Sequence, residues 1–186
     1  MSKPQRGGEP LELTGGPLGR LFFHWSGDRY VHEWHFEGQL ESVWLRSVES
    51  GGDVSWPVSP PLQQIHRQSF GDGREVVFGV GMAGRGHWSA SFTMIPDLKC
   101  WIVELACRAS VTPQSLMSSY RLSGNWTPGE TGGFRCDRAA QPLSVEPIQP
   151  GSLAQLNSDL LEIIPTGTLD SATTQQWAFR LRVGGS

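Results

Sequence analysis

The stretch that decides the fold is Arg20–Glu37, which reads RLFFHWSGDRYVHEWHFE. Apolar and polar residues alternate on both sides of Gly27-Asp28, a pattern typical of two half-buried strands joined by a two-residue turn. Partners directly opposite each other share a face, so this turn predicts a hairpin with one aromatic, buried face. The predicted pairs are Leu21 with Trp34, Phe23 with His32 and Trp25 with Tyr30, and the reverse face carries Arg20, Phe22, His24, Val31, Glu33 and His35.

The same alternation recurs along the chain, whereas sustained helical periodicity is nearly absent. Gly, Pro, Asp and Asn separate the alternating stretches at short intervals, as an all-β domain requires. The predicted strands are Arg20–Ser26, Arg29–Glu37, Leu40–Val48, Leu62–Phe70, Glu75–Val80, His87–Ile95, Lys99–Arg108, Ser118–Ser123, Leu143–Val145, Ser158–Ile164 and Gln175–Val183. These strands predict an all-β, single-domain antiparallel fold of about ten strands, either a two-sheet sandwich or a flattened barrel.

Local composition sets the expected domain boundaries. Residues 1–19 are rich in Gly and Pro and are predicted to form a flexible N-terminal segment, which leaves residues 20–186 as one domain. Residues 125–150 are rich in Gly, Pro and polar side chains, which is typical of a long loop or of a weak junction between subdomains. One or two short helical turns are expected, one where Thr112 precedes Pro113 and one where Ser152 caps Leu153–Asn157.

Charge and hydropathy exclude two large classes of partner. The chain of 186 residues has a formal net charge of −3, which argues against a nucleic-acid interface because such an interface needs a clustered basic surface. No apolar run approaches the ~18 residues that a membrane-spanning helix needs. We therefore expect no nucleic acid and no membrane among the partners.

The N-terminus and the cysteines indicate a compartment. Lys3 and Arg6 are not followed by an apolar region, so a secretory signal is not expected. Cys100 and Cys107 lie on one predicted strand and point to opposite faces, and Cys136 makes the number of cysteines odd. Free, buried thiols in the reducing cytoplasm are the simplest interpretation.

A second hairpin supplies the polar residues of a candidate site. A turn at Pro96-Asp97 would place one apolar face inward, and its reverse would be a polar stripe. In this register Ser89 lies across from Glu104, and His87 is diagonal to that carboxylate. The inward pairs would be Phe92 with Trp101, Ala90 with Val103 and Trp88 with Leu105.

The leading functional hypothesis is a non-catalytic binding module without a cofactor or metal. Its ligand would be a small apolar or carbohydrate-like molecule, or a protein partner, held against an aromatic-lined concavity. The predicted polar wall consists of His87, Ser89, Ser91 and Glu104, and the predicted stacking platforms are Trp44 and Trp56.

Two alternatives stay open at this point. A hydrolase or isomerase could use His87 and Glu104 as an acid–base pair, in which case one of them should titrate abnormally in a cleft. Alternatively, exposed apolar strand faces could make the chain a structural or self-assembling protein that forms a homo-oligomer.

Two further motifs are interpreted as structural. Gly79–Gly84 matches G-x-G-x-x-G, but a strand-like alternation follows it instead of the helix that a dinucleotide site needs. It is therefore predicted to be a glycine-rich hairpin. The histidines of the first hairpin do not predict a metal site, because the register places His32 on one face and His24, Glu33 and His35 on the other.

Overall fold

A computed structural model describes residues 5–6, 8–38, 41–51, 53–137 and 139–184. Strands dominate it, with 3-10 turns at Gly16–Leu18 and Pro96–Leu98. The strands are β1 Gln5–Arg6, β2 Leu11–Thr14, β3 Arg20–Ser26, β4 Arg29–Phe36, β5 Val43–Ser47, β6 Gln64–Ser69, β7 Glu75–Ala83, β8 Gly86–Ile95, β9 Cys100–Ala109, β10 Ser118–Leu122, β11 Trp126–Pro128, β12 Phe134–Cys136, β13 Leu143–Pro147, β14 Ser152–Asn157, β15 Leu160–Pro165 and β16 Gln175–Val183. Leu40, part of one predicted strand, lies outside the described residues.

The strands form two antiparallel sheets. The nine-stranded sheet has the order β1-β6-β7-β8-β9-β16-β13-β12-β11, and the seven-stranded sheet has the order β14-β15-β10-β5-β4-β3-β2. The two sheets make a sandwich and do not close into a barrel, which confirms the all-β prediction and decides between its two forms. Within the described ranges, no helix is long and apolar enough to cross a membrane.

Aromatic rings fill the space between the sheets. Phe92 of the nine-stranded sheet meets Phe23 of the seven-stranded sheet edge to face, with ring centroids 5.1 Å apart. Phe179 of the first sheet meets Tyr120 of the second at 5.4 Å, and Trp34 lies 5.8 Å from Phe92. Burial of such large rings and their edge-to-face contacts stabilise the face-to-face packing of the two sheets.

The register of the first hairpin is confirmed. Trp25 pairs with Tyr30, and Phe23 pairs with His32. His32 is 1% exposed and its Nε2 lies 3.1 Å from the hydroxyl of Tyr120. It is therefore a hydrogen-bonded core histidine, in agreement with its predicted position on the buried face of the hairpin.

The register of the second hairpin is shifted by two residues from the prediction. Pro96–Leu98 forms a 3-10 turn and Lys99 adopts a left-handed conformation with φ of 49°, so four residues connect β8 to β9 instead of two. A shift of two residues keeps every side chain on its predicted face but changes its partner. Ser91, not Ser89, therefore lies opposite Glu104.

Part of the N-terminal segment is ordered into the sandwich. Of the predicted flexible stretch 1–19, residues 1–4 and 7 lie outside the described residues, but β2 pairs with β3 at the edge of the seven-stranded sheet. Leu13 is fully buried and Leu18 is buried after it. The short Leu-Glu-Leu-Thr alternation is a strand that the neighbouring glycines and prolines obscured in the sequence.

This edge strand supports a direct test. Leu13→Ala should lower the free energy of unfolding by about 2 kcal/mol, because truncation of a buried leucine loses transfer free energy and leaves a cavity. Thr14→Ala, at the exposed neighbouring position, is the matched control and should leave it nearly unchanged. Urea denaturation followed by tryptophan fluorescence measures both. Equal stability of L13A and the native chain would mean that β2 does not contribute to the core.

Two further segments differ from the expectation. Besides the predicted strand Leu143–Val145, the range 125–150 contains β11 and β12, and β11, β12 and β13 extend the nine-stranded sheet. The segment expected to be a helical turn after Ser152 is β14, which forms a hairpin with β15, and the segment at Thr112 and Pro113 contains no helix. Each misread segment is short, so local composition outweighed the alternation that pairing with a neighbour reveals.

The glycine motif is a hairpin, as predicted. β7 and β8 pair through it, and Gly84 supplies the positive φ of 53° at the turn. Gly81 allows the closest approach, because a Cβ there would lie 1.6 Å from the carbonyl oxygen of Pro61. The motif thus accommodates a crossing segment of backbone.

Candidate functional site

A trough crosses the outer face of the nine-stranded sheet at right angles to its strands. Its cavity volume is about 520 Å³, within the range of small-molecule sites. Two transverse rows of side chains form its floor, because strand pairing aligns one residue from each of β7, β8, β9 and β16. One row is Phe78, Ser91, Glu104 and Ala178. The other is Ser89, Ala106 and Gln176, and Val80 of β7 continues this row beyond the trough.

The trough exists because its floor residues on β8, β9 and β16 are mostly small. Ser91, Ser89 and Ala106 rise little above the backbone, whereas the next rows on either side carry larger side chains. At a strand spacing of about 4.8 Å, the floor extends about 14 Å from β7 to β16. The larger side chains of the neighbouring rows are Val76, Thr93, Ile102 and Arg180 on one side, and Met82, His87 and Arg108 on the other.

The two ends of the trough are apolar. At β7 Phe78 is 41% exposed and lines the trough. At the other end, β13 leaves the sheet and the chain crosses towards β14, so Ile148 and Pro150 form a wall beside β16. An apolar surface at each end and polar groups between them suit a ligand that has both apolar and polar groups.

Hydrogen bonds hold this crossing segment in place. The N–H of Ile148 donates to the carbonyl of Ala178 at 2.9 Å, and the N–H of Ala178 donates to the hydroxyl of Ser152 at 2.7 Å. On its far side the hydroxyl of Thr166 donates to the carbonyl of Pro150 at 2.6 Å. The wall is therefore fixed to both sheets and preorganises the end of the trough.

The polar groups of the floor centre on Glu104. The hydroxyl of Ser91 donates to Oε2 of Glu104 at 2.9 Å. Ser89 and Gln176 present a hydroxyl and an amide in the adjacent row, and both side chains are exposed. Since Oε1 accepts no hydrogen bond from the described residues, the carboxylate can accept one from a ligand.

The structure brings together three of the six residues proposed from sequence. Ser89, Ser91 and Glu104 line the trough. His87 lies outside it on the same face, opposite Arg108 and four residues along β8 from Ser91, which corresponds to about 13 Å. The remaining two residues lie elsewhere: Trp44 is half-buried on the outer face of the seven-stranded sheet, and Trp56 is buried in the core.

Several trough residues were not indicated by the sequence. Phe78 belongs to an outward alternation with Val80 and Met82 on β7, which is the one signal that could have marked it. Ile148 and Pro150 carry no such signal, because only the departure of β13 from the sheet brings them to the trough.

Two observations concern the reactive groups near the trough. Cys107 lies on the inner face of β9, and burial raises the pKa of its thiol to about 11, so it is protonated at neutral pH. All three cysteines are free and buried. The corrected register also separates His87 from Glu104, so the pair proposed for acid–base chemistry is not in hydrogen-bond range.

No protein-family model matches the chain, and no curated protein matches it.

Proposed function

We propose that this protein is a non-catalytic binding module that holds a small carbohydrate-like ligand in the trough. The observation that carries the proposal is the transverse floor, in which Ser89, Ser91 and Glu104 lie in a preorganised cavity of about 520 Å³ with Phe78 at one end. Such a cavity offers closely spaced hydrogen-bonding groups together with an aromatic surface, as sugar recognition requires.

The dimensions support a short saccharide chain. A pyranose ring repeats along an extended chain at a distance close to the spacing of strands in a sheet. Rings laid across β8, β9 and β16 would each face a polar group of the floor: Ser89 or Ser91, then Glu104, then Gln176. The apolar face of a sugar at the β7 end would contact the exposed ring of Phe78.

Blocking the trough tests this proposal. Ala106 occupies the centre of the floor, so Ala106→Trp should fill it and weaken saccharide binding at least about tenfold, which corresponds to about 1.4 kcal/mol. A glycan array first identifies which neutral oligosaccharides the native chain binds. Isothermal titration calorimetry then measures their dissociation constants for the native chain and the variant.

Gln68→Trp is the matched control. Gln68 is exposed on β6 and lies outside the trough. The substitution therefore introduces the same indole on the same sheet without filling the cavity. Undiminished affinity in A106W, or equal losses in A106W and Q68W, would place the ligand elsewhere. Absence of binding by the native chain to every saccharide on the array would overturn the proposal.

A further inference from the structure

Glu104 gives the trough a negative charge that nothing in its lining balances. Of the lining residues within the described ranges, Glu104 alone is charged. Its hydrogen bond from Ser91 is between a neutral donor and the carboxylate, so it leaves the charge in place.

The nearest cations are engaged or distant. Arg180 lies one row away on β16, but its Nε and Nη2 both donate to Oε2 of Glu146, at 3.2 and 2.7 Å. Arg108 is exposed and lies four residues from Glu104 along β9, which is about 13 Å. No ion pair among the described side chains includes Glu104.

This charge distinguishes between classes of carbohydrate. Glu104 is exposed, so its carboxylate is accessible to a cationic ligand, and the attraction between the two charges is strongest at low ionic strength. An ammonium group is also a better donor to a carboxylate than a neutral hydroxyl is. A sugar that carries an amine beside its hydroxyls would use both the charge of Glu104 and the neighbouring hydroxyls of Ser89 and Ser91.

We propose that the ligand of the trough is an amine-bearing saccharide, whose ammonium group binds Glu104 while its hydroxyls bind the serines and Gln176. The inference rests on the proposed function, since it names the class of saccharide held at the same site. A lysine side chain of a protein partner would satisfy the carboxylate but would leave the row of hydroxyls and the amide without ligands, so the observations favour the sugar.

The test compares three trisaccharides of the same length: β-1,4-linked glucosamine, its N-acetylated form and the neutral glucose form. Calorimetry at low ionic strength and a pH that protonates the amine should show the glucosamine trimer binding about threefold to fivefold more tightly than the other two. Added salt should reduce this preference. Trilysine, measured in parallel, should bind much more weakly than the glucosamine trimer.

Glu104→Gln separates charge from shape. It should reduce the affinity for the glucosamine trimer to that for the neutral trimer, while the affinity for the neutral trimer stays close to its native value. Glu41→Gln is the matched control, because Glu41 is exposed and is not among the trough residues.

The outcomes distinguish the two proposals. Equal binding of all three trimers by the native chain, or a preference for glucosamine that persists in E104Q, overturns the inference and leaves the binding module intact. Binding of trilysine as tight as that of the glucosamine trimer also overturns it and points to a protein partner. If no saccharide binds, the proposed function fails and the inference fails with it.

Discussion

Gly81→Ala should lower the free energy of unfolding by about 3 kcal/mol or more. A Cβ at this position would lie 1.6 Å from the carbonyl oxygen of Pro61 and 2.8 Å from its carbonyl carbon. Both are backbone atoms, so no side-chain rotation can relieve the overlap and the crossing segment must move away from β7.

Movement of that segment would disturb both sheets. Gln63 N–H donates to the carbonyl of Val80 at 2.8 Å, and the Gln63 side chain exchanges hydrogen bonds with the backbone of Met82. Leu62 is fully buried, and its carbonyl accepts a hydrogen bond from Tyr30 N–H of β4 at 2.7 Å. The segment therefore joins β7 of one sheet to β4 of the other, and its displacement weakens the contact between them.

The measurement is thermal and urea-induced unfolding of G81A. For a chain of this size, a loss of about 3 kcal/mol corresponds to a decrease in Tm of about 10 °C. Gly71→Ala is the matched control, because a Cβ there meets no atom within 4 Å and Gly71 does not have a positive φ. A Tm of G81A within a degree or two of that of G71A would show that Pro61 does not approach β7 so closely.

The difference in free energy of unfolding between Glu49→Gln and the native chain should shift by about 3 kcal/mol in favour of the variant between pH 4 and pH 8. Burial raises the pKa of the Glu49 carboxyl from 4.5 to about 7, although the Ser47 hydroxyl and the Arg29 guanidinium partly oppose the rise. The side chain is 15% exposed, and Ser47 donates to Oε1 at 2.7 Å. Arg29 is 4.0 Å from Oε2, too far for a hydrogen bond.

The direction with pH follows from linkage. A raised pKa means that the folded state binds the proton more tightly, so the contribution of Glu49 to stability is fully present below about pH 4.5 and is lost as the pH rises through about 7. Each pKa unit corresponds to 1.36 kcal/mol, which gives the expected difference of about 3 kcal/mol. The amide side chain of E49Q cannot ionise, so the variant avoids this loss.

His32 also titrates in this part of the core, but it does not affect the difference in stability between the native chain and E49Q. Burial lowers its pKa to about 3, so its contribution to stability is lost as the pH falls from about 6.5 towards 3. This loss is common to both proteins and cancels in their difference. Urea denaturation of the native chain and E49Q from pH 4 to pH 8 measures that difference, and parallel pH profiles would contradict a raised pKa of Glu49.

Much of the fold could be predicted because alternation is a local property. Side chains on a strand alternate between faces with a period of two, so the inward and outward positions of β3, β4, β8, β9 and β16 follow from the sequence alone. The turn at Gly27-Asp28 also fixed the register of the first hairpin, since glycine allows the required positive φ, which is 69° here.

The candidate site could be predicted only in part. The chain alone placed Ser89, Ser91 and Glu104 on one outward face, but it could not pair them, because the connection at Pro96–Leu98 is two residues longer than the predicted turn. A register shift of one residue moves a side chain to the other face, whereas a shift of two residues keeps the face and changes only the partner. The shift here is two residues, so the predicted face was correct, but His87 does not lie beside Glu104.

The sequence by itself therefore determined the all-β class, the faces of the main strands and three residues of the trough. Only the tertiary structure decided that the sheets form a sandwich, that β9 lies between β8 and β16, and that Ile148 and Pro150 reach the end of the trough. The physical reason is that β16 is distant from β9 in the chain. Its pairing there depends on how the buried faces of both sheets pack together, and no local pattern records that arrangement.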